Sequence, residues 1–180
     1  MQLRQSLKRR GGPGFILIAL SRIEANRGNF EKAKSHLEEN IATAKQLGHR
    51  RNYLWNRAHL GQILLSQGEI REAQHIFFET VQEFYSEKSE IGVVFTLEGV
   101  VRLYAAVEKA EIAARLIGWV DATRERIGDT RMPIEQAIMD QEISSIIEKI
   151  GQEAFLAAYV LGKTMTIEEV FAFVSEYPQI

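Results

Sequence analysis

Apolar residues recur at three- and four-residue steps along nearly the whole chain, the spacing that keeps one face of an α-helix apolar. Proline stands only at Pro13, Pro133 and Pro178, so little interrupts the pattern. Short breaks separate the helical stretches: Gly11 to Gly14, Gly28-Asn29, Gly48 to Arg51, Gly68-Glu69, Lys88 to Glu90, Gly128 to Met132, Gly151, and Gly162 to Thr164. A glycine just past a helix end suits the left-handed position that closes helices. The pattern predicts an all-α protein.

The chain also repeats itself. Gly28-Asn29-Phe30-Glu31-Lys32-Ala33 aligns with Gly68-Glu69-Ile70-Arg71-Glu72-Ala73 at a spacing of 73 − 33 = 40, and Glu108 to Ala113 supplies a third copy at the same spacing. Other columns keep the register: Phe15, Trp55 and Phe95; Leu20, Leu60 and Val100; Leu37, Phe77 and Ile117. Each unit reads as a first helix, a turn of about two residues and a longer second helix, and so short a connection brings the two helices antiparallel. Ala33, Ala73 and Ala113 fall early in the second helices, where a small side chain lets the first helix come close. One pair cannot bury its own apolar face, so stacked pairs are expected. The reading gives a partial repeat over 1–10, full repeats over about 14–48, 52–88 and 91–128, and a helical cap over 129–180.

Beyond Ile134 the period is lost and three helices are predicted: Ile134 to Ile150 with Pro133 at its first position, Gln152 to Leu161, and Ile167 to Glu176. The last begins with Thr166-x-x-Glu169, a capping box, between Met165 and Val170 as a possible hydrophobic staple.

Leu60-Gly61-x-x-Leu64, then Ala73 and Phe77, with Gly68 at the helix turn, resemble the tetratricopeptide repeat. The 40-residue unit is longer than the 34 typical of that motif. With endings such as Leu47-Gly48-His49-Arg50 it looks like the repeats of large bacterial signalling ATPases and transcription activators. The stretch from Glu153-Ala154-Phe155 through Gly162, Thr166 and Glu168-Glu169 is similar to the segment that closes such arrays. The resemblance implies a right-handed superhelical solenoid that acts as a scaffold or sensor, with no chemistry of its own.

Composition narrows the function classes. With 46% apolar and 26% charged residues and a formal net charge of −2, the chain is ordinary for a globular protein and carries no overall attraction for polyanions. It has no cysteine, which excludes disulfides and thiolate sites and points to a reducing compartment, with the cytoplasm as the default. The longest apolar run, Phe15 to Leu20, is too short to span a bilayer, so no membrane role is expected. Gly11-Gly12-Pro13-Gly14 lacks the lysine of a phosphate loop. The histidines, His36, His49, His59 and His75, lack the i, i+4 spacing of a metal pair. Lys8-Arg9-Arg10 has no interleaved aromatics and reads as a basic turn, not a direct nucleic-acid site. No cofactor, metal or catalytic residue is expected, and the chain does not read as an enzyme.

What remains is a partner-binding surface on the first helices. One stripe carries Phe15, Trp55 and Phe95, read chiefly as core, with His59 and Glu98 a turn further on. Arg22, Gln62 and Arg102 follow, at the positions that look into the groove in the family resembled. Arg22, His59, Gln62, Glu98 and Arg102 are therefore the candidate groove residues, and arginine's planar fork favours an acidic peptide or other carboxylate. The leading expectation is a protein-interaction module within a larger bacterial regulator; the alternative is a small-molecule sensor domain. Aligned 40 residues back, Met1 to Leu7 matches the tail of a second helix whose own partner is missing. That predicts an open apolar N-terminal end and homodimerisation through it.

Overall fold

The structure, a computed structural model, describes residues 13–175, with side chains from 16 to 174. The helices are α1 (Pro13–Asn26), α2 (Phe30–Gln46), α3 (Arg50–Gln67), α4 (Ile70–Ser86), α5 (Glu90–Ala106) and α6 (Ala110–Ile127). They are followed by α7 (Pro133–Ile150), α8 (Gln152–Lys163) and α9 (Ile167–Ser175). No β-strand occurs among the described residues, and no helix there is long and apolar enough to cross a membrane. The segment expected to be the tail of a preceding repeat, Met1 to Leu7, lies outside the described residues.

The register read from the sequence recurs in the backbone. Helices α2, α4 and α6 begin at 30, 70 and 110, and α3 and α5 at 50 and 90. The underlying backbone period is half of this. Asn29, His49, Glu69, Ser89, Lys109 and Asp129, each 20 residues after the last, donate their N–H groups to the carbonyls of Glu24, Ala44, Leu64, Phe84, Tyr104 and Arg124 at 2.8–3.0 Å. This six-to-one bond closes a helix when the residue before the donor is left-handed. Gly28, Gly48, Gly68 and Gly128 meet that need, whereas Lys88 (φ 56°) and Glu108 (φ 62°) adopt the same conformation with a side chain. The donor residue then opens the next helix: the carbonyls of Asn29, His49, Glu69, Ser89 and Lys109 accept from the amide four residues on.

Two compact units divide the chain, residues 1–83 and 84–180, with the division inside α4. In the first, α1 packs on α2 and α2 on α3. Ala33, Leu37, Ala73 and Phe77 are fully buried. Gly61 on α3 lies under the Phe77 ring of α4, so close that an added Cβ would stand 2.6 Å from a ring carbon. Arg57 of α3 reaches Glu83 at 3.0 Å and also pairs with Glu79, both on α4.

In the second unit α5 packs on α6, and α6 also packs on α7 and most extensively on α8. Ala113 and Ile117 are fully buried here, matching Ala73 and Phe77 of the preceding copy. The α6–α8 crossing depends on two glycines. A Cβ at Gly118 would lie 2.0 Å from the Tyr159 carbonyl oxygen, and one at Gly162 would lie 1.8 Å from that of Arg115. The three C-terminal helices have the extents expected within two residues. The α9 capping box is formed, Thr166 N–H donating to Glu169 Oε2 at 2.7 Å and Glu169 N–H to Thr166 Oγ1 at 3.2 Å.

Two stability predictions follow from these contacts. An added Cβ at Gly68 meets nothing within 4 Å, so Gly68→Ala strains only the backbone and should cost about 1 kcal/mol. Glu108→Gly, at the same turn position 40 residues on, should instead stabilise by roughly 0.5 kcal/mol, so the two urea midpoints should move in opposite directions. Gly162→Ala should cost about 3 kcal/mol or more, although alanine is the better helix former by about 1 kcal/mol. A backbone carbonyl cannot swing aside as a side chain can. A midpoint close to wild type for Gly162→Ala would contradict the close α6–α8 contact.

Candidate functional site

The residues singled out from the sequence occupy different environments. Arg22 on α1 and His59 and Gln62 on α3 are all partly buried in the first unit. Burial pushes the His59 pKa down to about 4, and the nearby Arg22 guanidinium adds to the shift. His59 is therefore neutral at pH 7. Gln62 lies one turn beyond it, its backbone carbonyl accepting from Ser66 Oγ at 2.9 Å.

Glu98 and Arg102 sit one turn apart on α5 of the second unit. Glu98 is 9% exposed, and both its oxygens are engaged. Arg124 of α6 donates from Nε and Nη2 at 3.0 Å each, and Arg131 of the α6–α7 connection donates from Nε at 2.6 Å. Arg131 also reaches Asp121 at 2.7 Å, whose other oxygen accepts from the Tyr159 hydroxyl of α8 at 3.1 Å. Burial and the Asp121 carboxylate push the Tyr159 phenol up. One ionic network thus joins α5, α6, α8 and the connection after α6, and Glu98 is its hub. Arg102 is half-buried and reaches Glu142 of α7 at 3.4 Å. Of the aromatic stripe, Trp55 and Phe95 are partly buried, while the Phe15 side chain lies outside the described residues.

A cleft of about 630 Å³ opens in the second unit, at none of these five residues. One face of α6 forms its floor, with Trp119, Ala122, Thr123 and Arg126 at the three- and four-residue steps of a helix stripe. The start of α5 brings Ser89, Glu90 and Val93 to it, and the turn before that helix brings Lys88. The opposite wall is Lys163 with Met165, Thr166 and Ile167, from the α8–α9 turn. Tyr85 closes the rim, its hydroxyl donating to Glu168 at 2.7 Å; that bond holds the Glu168 carboxyl below its usual range and the phenol above its own.

Charge in the cleft is not balanced. Arg126 pairs with Glu90 at 2.7 Å, whereas Lys88 and Lys163 form no ion pair among the described residues. Lys163 Nζ instead stands 5.8 Å from the centre of the Tyr159 ring. A shallower depression of about 480 Å³ in the first unit has Lys34 and Arg71 against Glu38 and Glu72, and so no excess of either sign. Among the described residues, no group of three or more His, Asp or Glu side chains could hold a metal ion.

Sequence reasoning missed the cleft because one of its walls, Lys163 with Met165 to Ile167, lies beyond the repeats. The available signal was the stripe of Trp119, Thr123 and Arg126 at helical spacing, which belongs to none of the repeat columns. No protein-family model matches the sequence, and neither a curated protein nor a solved structure matches it significantly.

The His59 environment has a pH consequence with a definite sign. The unfolded chain protonates this imidazole near pH 6.5 and the folded chain only near pH 4. Its contribution to stability is therefore complete above pH 6.5 and lost as pH falls towards 4, by about 3 kcal/mol at most. His59→Gln should flatten the stability profile across that window, and an NMR titration of His59 should show a midpoint near 4. A midpoint near 6.5 would refute the assignment.

Proposed function

We propose that the chain is a tetratricopeptide-like array of helix pairs that binds a protein or peptide partner, as one segment of a larger regulatory protein. The observation that carries this reading is the seat of the Phe77 ring on Gly61, with Ala73 fully buried twelve residues after that glycine. These are the positions at which the sequence resembles the tetratricopeptide repeat, and they hold two helices of one pair against each other. The recurrence of helix starts at 30, 70 and 110 supports the same reading. A surface made of repeated, partly buried side chains on rigid helices suits recognition of an extended or helical segment.

In the first unit the partner surface comprises Arg22, His59 and Gln62. With His59 neutral, Arg22 supplies its positive charge, and the preferred segment is acidic. Glu98 and Arg102 belong to the second unit and are engaged in its ion pairs, so they are not counted with this surface.

Fluorescence anisotropy with a labelled amphipathic peptide of alternating glutamate and leucine tests the proposal, with a lysine-for-glutamate version as control. The acidic peptide should bind and should weaken as salt rises, because exposed charges are largely screened beyond about 10 Å at 0.1 M. Arg22→Ala should reduce its affinity about three- to tenfold. Equal binding of the acidic and basic peptides, or full affinity in Arg22→Ala, would count against the reading.

A further inference from the structure

We propose that the cleft between α5, α6 and the α8–α9 turn is a binding site for a small organic anion, a carboxylate or phosphate monoester carried on an apolar body. This site is separate from the peptide surface on α1 and α3 and does not depend on it.

Its size is the first argument. About 630 Å³ lies within the range of pockets that take small molecules, roughly 300–1,000 Å³. The second argument is the composition of the floor. Val93, Trp119 and Thr123 are 3%, 6% and 4% exposed, so they are held rigidly by packing and still line the opening. Trp119 and Val93, with Met165 and Ile167 opposite, offer apolar surface to a ring or short chain. Thr123 places a hydroxyl among them that has no hydrogen-bond partner among the described residues. A hydroxyl that lines the cleft can donate to a ligand oxygen.

The third argument is charge. Lys88, Arg126 and Lys163 line the cleft against Glu90 alone. Glu90 is occupied by Arg126, which leaves the two ammonium groups to a ligand. The start of α5, which has no side-chain cap, opens on the same space, and its first-turn amides reinforce the preference for negative charge. Tyr85 holds Glu168 at 2.7 Å, which ties down that nearby carboxylate.

Isothermal titration calorimetry on the whole chain at low salt tests this with defined probes: indole-3-acetate, 1-naphthyl phosphate, the neutral indole-3-acetamide, the cationic tryptamine, and inorganic phosphate. At least one of the two organic anions should bind, with the amide, tryptamine and inorganic phosphate at least about tenfold weaker. Which organic anion binds more tightly distinguishes a carboxylate from a phosphate source. In Lys88→Gln/Lys163→Gln the affinity should fall at least about tenfold, and in Lys45→Gln, which removes one charge from an α2 lysine that does not line the cleft, it should not change. Circular dichroism and melting curves establish that the variants are folded; all three lysines are exposed, so both variants should be. Binding of the amide as tight as that of the acid would overturn the proposal. So would equal affinity for bare phosphate, undiminished affinity in the double lysine variant, or no heat from either organic anion at millimolar concentration. Since Arg22 plays no part here, Arg22→Ala should bind these anions normally even where it no longer binds the acidic peptide.

Discussion

The repeated helix closure is the constraint on which the rest of the structure depends. Each bond from residue 29, 49, 69, 89, 109 or 129 to the carbonyl five residues earlier ends one helix, and at the first five of these the same residue opens the next. One such bond stabilises the fold by only about 1 kcal/mol. Its larger effect is positional, because a connection with no slack gives consecutive helices the same phase. Side chains 40 residues apart consequently meet equivalent neighbours: Ala33, Ala73 and Ala113 are all fully buried, as are Leu37, Phe77 and Ile117. The backbone period is 20 and the side-chain period is 40, because alternate helices carry different faces on the same backbone frame.

After Asp129 that rhythm stops, and a different device takes over. Gly118 and Gly162 let α6 and α8 approach until backbone meets side-chain space, and the Glu98 network ties α5, α6 and α8 to the connection that follows α6. The cleft follows from this close approach. Lys163 stands immediately after Gly162, so the contact that places the glycine against Arg115 also carries the lysine, and the turn through Ile167, to the side of α6 that presents Trp119 and Thr123. Packing at one point of α8 thereby shapes a binding wall a turn away.

Much of this was legible in the sequence and some was not, for identifiable reasons. The helices and their register could be read because glycine, alanine and apolar columns recur in fixed phase. The closures at Lys88 and Glu108 carry no glycine, so the sequence shows the first only as a break and the second only by alignment with its copies. From the sequence, the register of Glu98 places it beside the stripe of His59 and so among the groove residues. Its arginine partners lie 26 and 33 residues away, a separation at which no local pattern signals a contact. The cleft was harder still: two of its walls, around Lys88 and around Lys163 to Ile167, are turns brought to α6 by tertiary packing.

The second unit also shows two distinct uses of positive charge. Arg124 and Arg131 are nearly buried and their guanidinium groups are matched by Glu98, Asp121 and Asp129, as a buried cation requires if its desolvation is to be offset. Lys88 and Lys163 are exposed and have no carboxylate partner among the described residues, yet they border a cleft lined in part by the buried Val93, Trp119 and Thr123. Water solvates their ammonium groups well enough that folding does not demand a counter-ion. Next to an apolar surface, however, an approaching anion interacts with them through a lower effective dielectric than in open solvent, and the attraction rises accordingly. A charge that the fold leaves unneutralised beside apolar surface can act on a ligand in a way that a charge consumed by an internal ion pair cannot, and that difference separates the cleft from the Glu98 network on the other turns of the same helices.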